Sequence, residues 1–252
     1  MDSSTVLARS AASQHDDRTW VDDAPAIFAT FTRQLGPDGL DLDAFATLSE
    51  AEGRSLFAGR GTLQLVDERT EILRGAATAI LDRWDGTTRN LIDEAQRDGH
   101  RIVELLTATI PGYHDRPTSP AGELRFDKLA HLAAALMAAG IGWGAAGFGG
   151  HDDFPVYPDY MLPRVLRHHG MLVYSPQTAR SDQRRPIEAD SPAEHALRWA
   201  TVHAGAALRS ALQDRGNPVT APALDYRMWS EAVLGPDAAS FGEHHRTITL
   251  RY

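Results

Sequence analysis

In one segment after another, the apolar residues of this chain recur at the spacing of a helix, and almost nowhere at the alternation of a strand. From Leu65 to Trp84 the residues Leu65, Ile72, Leu73, Ala76, Ala77, Ile80, Leu81 and Trp84 make one apolar face, which Asp85-Gly86 ends. The spacing predicts a second long helix over 88–109, through Leu91, Ile92, Ala95, Ile102, Val103, Leu105 and Leu106, stopped by Pro111-Gly112. Residues 124–139 are rich in Ala and Leu on nearly all sides, so a buried central helix is expected there. Ser191-Pro192-Ala193-Glu194 carries the clearest start signal, with Ser191 as N-cap, Pro192 at N1 and Glu194 completing a capping box. That helix is expected to run to Gly216. Shorter elements fill the rest: a helix opened by Asp22-Asp23-Ala24-Pro25, one short helix plus loop within 40–57, and a last helix from Pro222 to near Gly235-Pro236. The expected fold is mainly α. With no repeat period and no linker signal, a single helical domain is expected over 18–252 behind a flexible tail at 1–17.

Composition narrows the function classes. A formal net charge of −9 argues against a nucleic-acid duplex as partner, because phosphate-backbone binding needs a basic surface. A local group of arginines can still hold a small anion. There are no cysteines, which removes disulfides, thiolate nucleophiles and cysteine zinc sites and fits a reducing cytoplasm. No secretory signal is read at the start, and no apolar run approaches the roughly 20 residues that cross a bilayer. The expectation is a cytoplasmic protein acting on a small molecule, away from membranes, with its oligomeric state left open.

The stretch Phe154-Pro155-Val156-Tyr157-Pro158-Asp159-Tyr160-Met161-Leu162-Pro163 combines a restricted turn with a helix start, and Gly170 is placed to end that helix in a left-handed cap. Asp159 can cap the helix, or it can be a held acid or base at a pocket mouth. Lys128 is the chain's one lysine, in a sequence that otherwise uses arginine for its cations. It either snorkels to solvent from a helix end or faces a pocket. Asp225 and Trp229 are four apart, so a helix opened by Asp225 would put both on one face with Tyr226 beside them. An aromatic surface next to a fixed acid suits a flat heterocyclic base, and a second acid near a sugar suits glycosidic cleavage. The competing reading is core aromatics and two helix caps. The 11 histidines include the adjacent pairs His168-His169 and His244-His245, but no metal-ligand spacing, so solvated or capping roles are expected and no metal site. The glycine-rich stretch 141–150 matches no nucleotide-binding fingerprint, and no Gly-x-Ser-x-Gly is present.

Taken together, Leu224-Asp225-Tyr226-x-x-Trp229, Asp159-Tyr160-x-x-Pro163, Leu172-x-Tyr174-Ser175, His245-Arg246 and Tyr252 resemble the queuosine-salvage protein family. Upstream, Leu65-x-x-Glu68-Arg69, Pro111-x-Tyr113-x-Asp115 and Phe126-x-Lys128-x-Ala130 agree in the same order. The resemblance implies an all-helical fold similar to helix-hairpin-helix DNA glycosylases, and hydrolysis of queuosine 5′-phosphate to release the base queuine. It implies Asp159 as the catalytic carboxylate at the ribose, with Lys128 facing the same pocket. Asp225, Tyr226 and Trp229 would recognise the base, Phe154 and Tyr160 would line the pocket, and His245 and Arg246 would contact phosphate or wall. No metal or organic cofactor is implied. The chain departs from the family pattern at Leu129, His131, Leu136 and Met161, where polar residues are usual. A related substrate, or a binder without turnover, is the alternative reading.

Overall fold

Short polar side chains at Asp41, Ser49, Asp98, Asp159, Ser191 and Thr220 take up first-turn N–H groups and fix where six of the helices start. The computed structural model describes residues 13–15, 19–21, 23–36, 39–59, 61, 63–120, 122–140, 148–176, 178–179 and 186–251. The chain divides into two compact units, 1–90 and 91–252. Of the tail expected at 1–17, residues 13–15 form a strand, and the remainder lies outside the described residues, as do 141–147 of the glycine-rich stretch and Tyr252.

In the first unit, β1 (Ser13–His15) pairs antiparallel with β2 (Thr19–Val21), and α1 (Asp23–Thr32) follows. The one helix expected within 40–57 is two. Asp41 caps α2 (Leu42–Ala46) through the Ala44 N–H, and Ser49 with Glu52 makes a full capping box on α3 (Glu50–Leu56). Both pack on α4 (Val66–Trp84), the long helix the periodicity predicts.

In the second unit, the helix expected over 88–109 is broken. It becomes α5 (Thr88–Glu94), which begins in the first unit, and α6 (Gly99–Thr109). The Arg97 N–H closes back on the Ile92 carbonyl, with Gln96 and Arg97 both at positive φ, and Asp98 then caps α6 through the Arg101 N–H. Gly99 is needed at that joint: its N–H bonds the Gly149 carbonyl at 2.8 Å, and a Cβ there would stand 2.9 Å from the Phe154 ring. The polar loop after α6 contains a small hairpin, β3 (Thr118–Ser119) with β4 (Gly122–Glu123).

The central helix starts later than expected. It is α7 (Lys128–Gly140), because residues 124–127 run back along 115–117 instead. Leu124 N–H bonds Pro117 O, Phe126 N–H bonds Asp115 O, and the Asp127 carboxylate takes the Asp115 N–H and the Arg116 guanidinium.

Further along the described residues come α8 (Met161–His168), α9 (Pro192–Asp214) and α10 (Ala221–Leu234), then a 3-10 turn over Ala238–Phe241. Ser191 caps α9 through the Glu194 N–H, the N-cap half of the expected capping box, and the Glu194 carboxylate lies 3.5 Å from Arg198. Thr220, not Asp225, caps α10. The three helices pack on one another around Val156, Leu162, Val165, Leu166, Leu224, Met228 and Phe241. The C-terminal segment is docked, as its apolar character predicts: the Arg246 carbonyl accepts from Ile187 N–H, and Arg251 reaches the His114 carbonyl. No helix among the described residues is long and apolar enough to cross a membrane.

Gly205 lets α9 approach the 154–160 turn, since a Cβ would lie 2.5 Å from a Val156 methyl group. Gly205→Ala is therefore expected to destabilise the protein by about 1–3 kcal/mol through overpacking. A thermal melt reads this directly; an unchanged midpoint would mean that Val156 has room to yield.

Candidate active site

Two carboxylates and one ammonium act on one another electrostatically: Asp159 before α8, Asp225 in α10, and Lys128 at the start of α7, with α8 and α10 packed together. Asp159 precedes α8, and its Oδ1 accepts the Met161 and Leu162 N–H groups at 2.7 and 3.0 Å. Both readings of this residue are compatible with that geometry. It caps the helix, and the cap fixes a carboxylate at a partly positive helix start.

Asp225 stands in the second turn of α10, buried, with its Oδ2 accepting the Tyr157 N–H at 2.6 Å. Burial pushes its carboxyl up to about 8, helped by the Asp159 charge, while the Tyr157 N–H and Lys128 pull the other way. Lys128 is the first residue of α7 and is 7% exposed, so it does not snorkel to solvent. The five residues from 155 to 159 thus place both acids: Tyr157 holds Asp225 by its backbone, and Asp159 lies two residues on.

Among the other expected site residues, Phe154 is fully buried, with His131 and His100 edge-on to it at ring distances of 4.9 and 5.3 Å. Tyr160 packs on His244 at 4.7 Å. Trp229 is half-buried against the α8–α10 core, whereas Tyr226 is 66% exposed and stacks on Trp229. Asp225 and Trp229 share a helix face, but Tyr226 points away from the buried acid toward solvent. His245 is wholly buried, and burial, then the charges of His244 and Arg167, bring its imidazole down to about 3. It is neutral at neutral pH and suits a wall contact better than a charge pair with phosphate. Arg246 lies 3.7 Å from Glu243 and is largely covered.

The expectation of solvated or capping histidines fails at three positions. His151, His195 and His245 are buried, held in aromatic or polar surroundings that local spacing does not reveal. Among the described residues, Asp190, Glu194 and His195 bring possible ligand atoms within 4.8 Å of one another. Arg198 already sets a cation 3.5 Å from Glu194, which disfavours a metal ion there.

Two groups were missed by sequence reasoning. One is Tyr157, whose backbone holds Asp225 and whose buried hydroxyl has no hydrogen-bond partner among the described residues. The other is the buried Asp115–Arg198 pair behind Phe126. The Pro-Val-Tyr-Pro pattern marks a rigid turn, but nothing local says which N–H it will offer to a residue 68 positions away.

The raised carboxyl of Asp225 has a consequence for stability. An acid whose folded value lies near 8 keeps its proton where the unfolded chain, near 3.8, has lost it. The folded state binds more protons between those values, so stability falls as pH rises across that window. Asp225→Asn removes the penalty. Its melting temperature is expected to exceed the parent's at pH 8 and to approach it at pH 4, and equal differences at both pH values would contradict a buried, strained carboxylate.

A helical protein with two carboxylates set in unlike environments beside a buried lysine is the class that fold and site define. Comparison with known proteins makes this specific. The chain belongs to the queuosine salvage protein family, whose model matches residues 25–252. It is 32% identical over 231 residues to a queuosine 5′-phosphate N-glycosylase/hydrolase of Sphaerobacter thermophilus, covering 90% of this chain and 71% of that protein. Proteins of the same name from Dictyostelium discoideum and Mus musculus are 26% and 22% identical, across 73% and 82% of this chain. The matches span 58% and 65% of those two proteins, less than two thirds of either. The family resemblance carried by the Asp159 and Asp225 motifs is thereby borne out.

Proposed function

We propose that this chain hydrolyses the N-glycosidic bond of queuosine 5′-phosphate, releasing the base for salvage. The observation that carries the reading is the pair Asp159 and Asp225, held side by side by one turn in a chain of this family. A carboxyl kept protonated by burial beside a second, charged carboxylate is what acid–base work at one bond requires.

In this reading Asp159 faces the ribose. As the bond from C1′ to the base breaks, its electron pair leaves with the base and positive charge grows on C1′ and the ring oxygen, which a fixed carboxylate stabilises. Water then bonds to C1′ through its oxygen and gives a proton to Asp159. Asp225, neutral at pH 7, meets the edge of the base and donates the proton that the departing nitrogen needs. One water is consumed, and the products are the free base and ribose 5-phosphate. The Lys128 charge favours the ionised form of Asp225 and so limits how far burial and Asp159 raise it.

The test is incubation of purified protein with queuosine and with its 5′-phosphate, following free queuine by mass spectrometry. Release from the phosphate is the expected result. No release from any deazaguanine nucleoside or nucleotide would defeat the enzyme reading, and base binding without release would move it to a binder.

A further inference from the structure

We propose that Arg164 is a positioning residue that sets the spacing of the two site carboxylates. This rests on the assignment of Asp159 and Asp225 to the site. Arg164 lies in α8, one turn beyond the N–H groups that hold Asp159. Its guanidinium spends its donors on three backbone carbonyls in three places. Nη1 reaches Ala232 O at 3.4 Å, Nη2 reaches Ala238 O at 2.6 Å, and Nε reaches Gly242 O at 2.6 Å.

Ala232 lies in the last turn of α10, the helix that carries Asp225, and its carbonyl has no partner within that helix. A cation there also meets the negative end of the helix dipole. Ala238 is in the 3-10 turn, and Gly242 begins the segment leading to His244, His245 and Arg246. A single planar fork therefore ties the Asp159 helix to the Asp225 helix and to the C-terminal segment. Arg167, one turn on, adds a bond to Glu243 O at 2.8 Å. Only a guanidinium can span three acceptors this way, whereas a lysine ammonium is a point donor.

The clamp also bears on the electrostatics of the pair. Asp159 raises the Asp225 carboxyl by charge, so above about pH 8, where Asp225 ionises, the two acids repel and separation of α8 from α10 would relieve them. The groups acting on Asp225 are its own burial, Asp159, the Tyr157 N–H and Lys128. Arg164 is not among them. Its loss therefore reaches the Asp225 titration chiefly through the placement of those groups.

That supplies a readout which a purely structural arginine would leave alone. In ligand-free protein, the Asp225 carboxyl is followed by carbon-13 NMR across pH in the parent and in Arg164→Gln, with thermal melts alongside. The expected result is a downward shift of roughly one unit toward the ordinary carboxylate range. Turnover falls about tenfold with KM changed less than about twofold, as misplacement of reacting groups predicts. Arg164→Lys, which can keep one carbonyl bond, falls between, and it stands in for the glutamine variant if that does not fold. A folded variant with the parent's Asp225 titration and turnover overturns the proposal. Should the parent release no base, the functional reading falls while the Asp225 titration still decides the clamp.

Discussion

Asp159→Asn is expected to lower the rate of base release by roughly 10²- to 10⁴-fold, the range over which a positioned acid or base contributes. The substitution separates Asp159's two roles. An asparagine oxygen accepts the Met161 and Leu162 N–H groups nearly as well as a carboxylate oxygen does, so the α8 start survives and the melting temperature should stay near the parent's. What disappears is the negative charge that the proposed mechanism sets at the ribose, together with that mechanism's acceptor for a proton from water. The charge acting on Asp225 disappears with it, so the Asp225 carboxyl should titrate lower than in the parent. Base release by mass spectrometry, an NMR titration of Asp225 and a thermal melt measure these three effects separately. A variant that turns over within a few-fold of the parent would reduce Asp159 to a helix cap.

Much of the fold can be read from the chain, because long helices announce themselves by period and by cap. Val66–Trp84 and Pro192–Asp214 begin within a residue of where Leu65 and Ser191 place them. Errors arise where a contact distant in sequence overrides local propensity. Nothing between 88 and 109 forbids a continuous helix. It is Gly149, pairing with Arg97 and Gly99, and the Asp98 cap that divide it. Likewise Leu124 and Phe126 have helical propensity but pair with Pro117 and Asp115, so the central helix waits until Lys128. The site shows the same division. Asp159 and Asp225 stand out locally by their aromatic and proline neighbours, but the Tyr157 bond that joins them crosses 68 positions. Tyr226 adjoins Asp225 in sequence, but neighbours on a helix face different ways, so Tyr226 is exposed where Asp225 is buried.

Arg198→Met is expected to cost about 3–5 kcal/mol of stability, the usual effect of breaking a buried ion pair from one side. Arg198 has no solvent exposure, lies against both oxygens of Asp115 and one of Glu194, and sits over the Phe126 ring at 3.9 Å. Methionine fills similar volume and keeps contact with the ring, but leaves two buried carboxylates without their main cation. Arg251, 3.6 Å from Asp115, offsets only part of this from the protein's edge. The cost should therefore be recovered in large part by Arg198→Met combined with Asp115→Asn and Glu194→Gln, since a neutralised site no longer buries unpaired charge. Chemical denaturation of single and combined variants measures it, and a triple variant no more stable than the single would place the cost in packing over Phe126 instead. Activity should suffer beyond the loss of folded protein. Phe126 and Asp127 immediately precede Lys128, and Asp127 is held by the Asp115 N–H and by Arg116. Disturbing Asp115 thus shifts the start of α7, and with it the ammonium that balances Asp225.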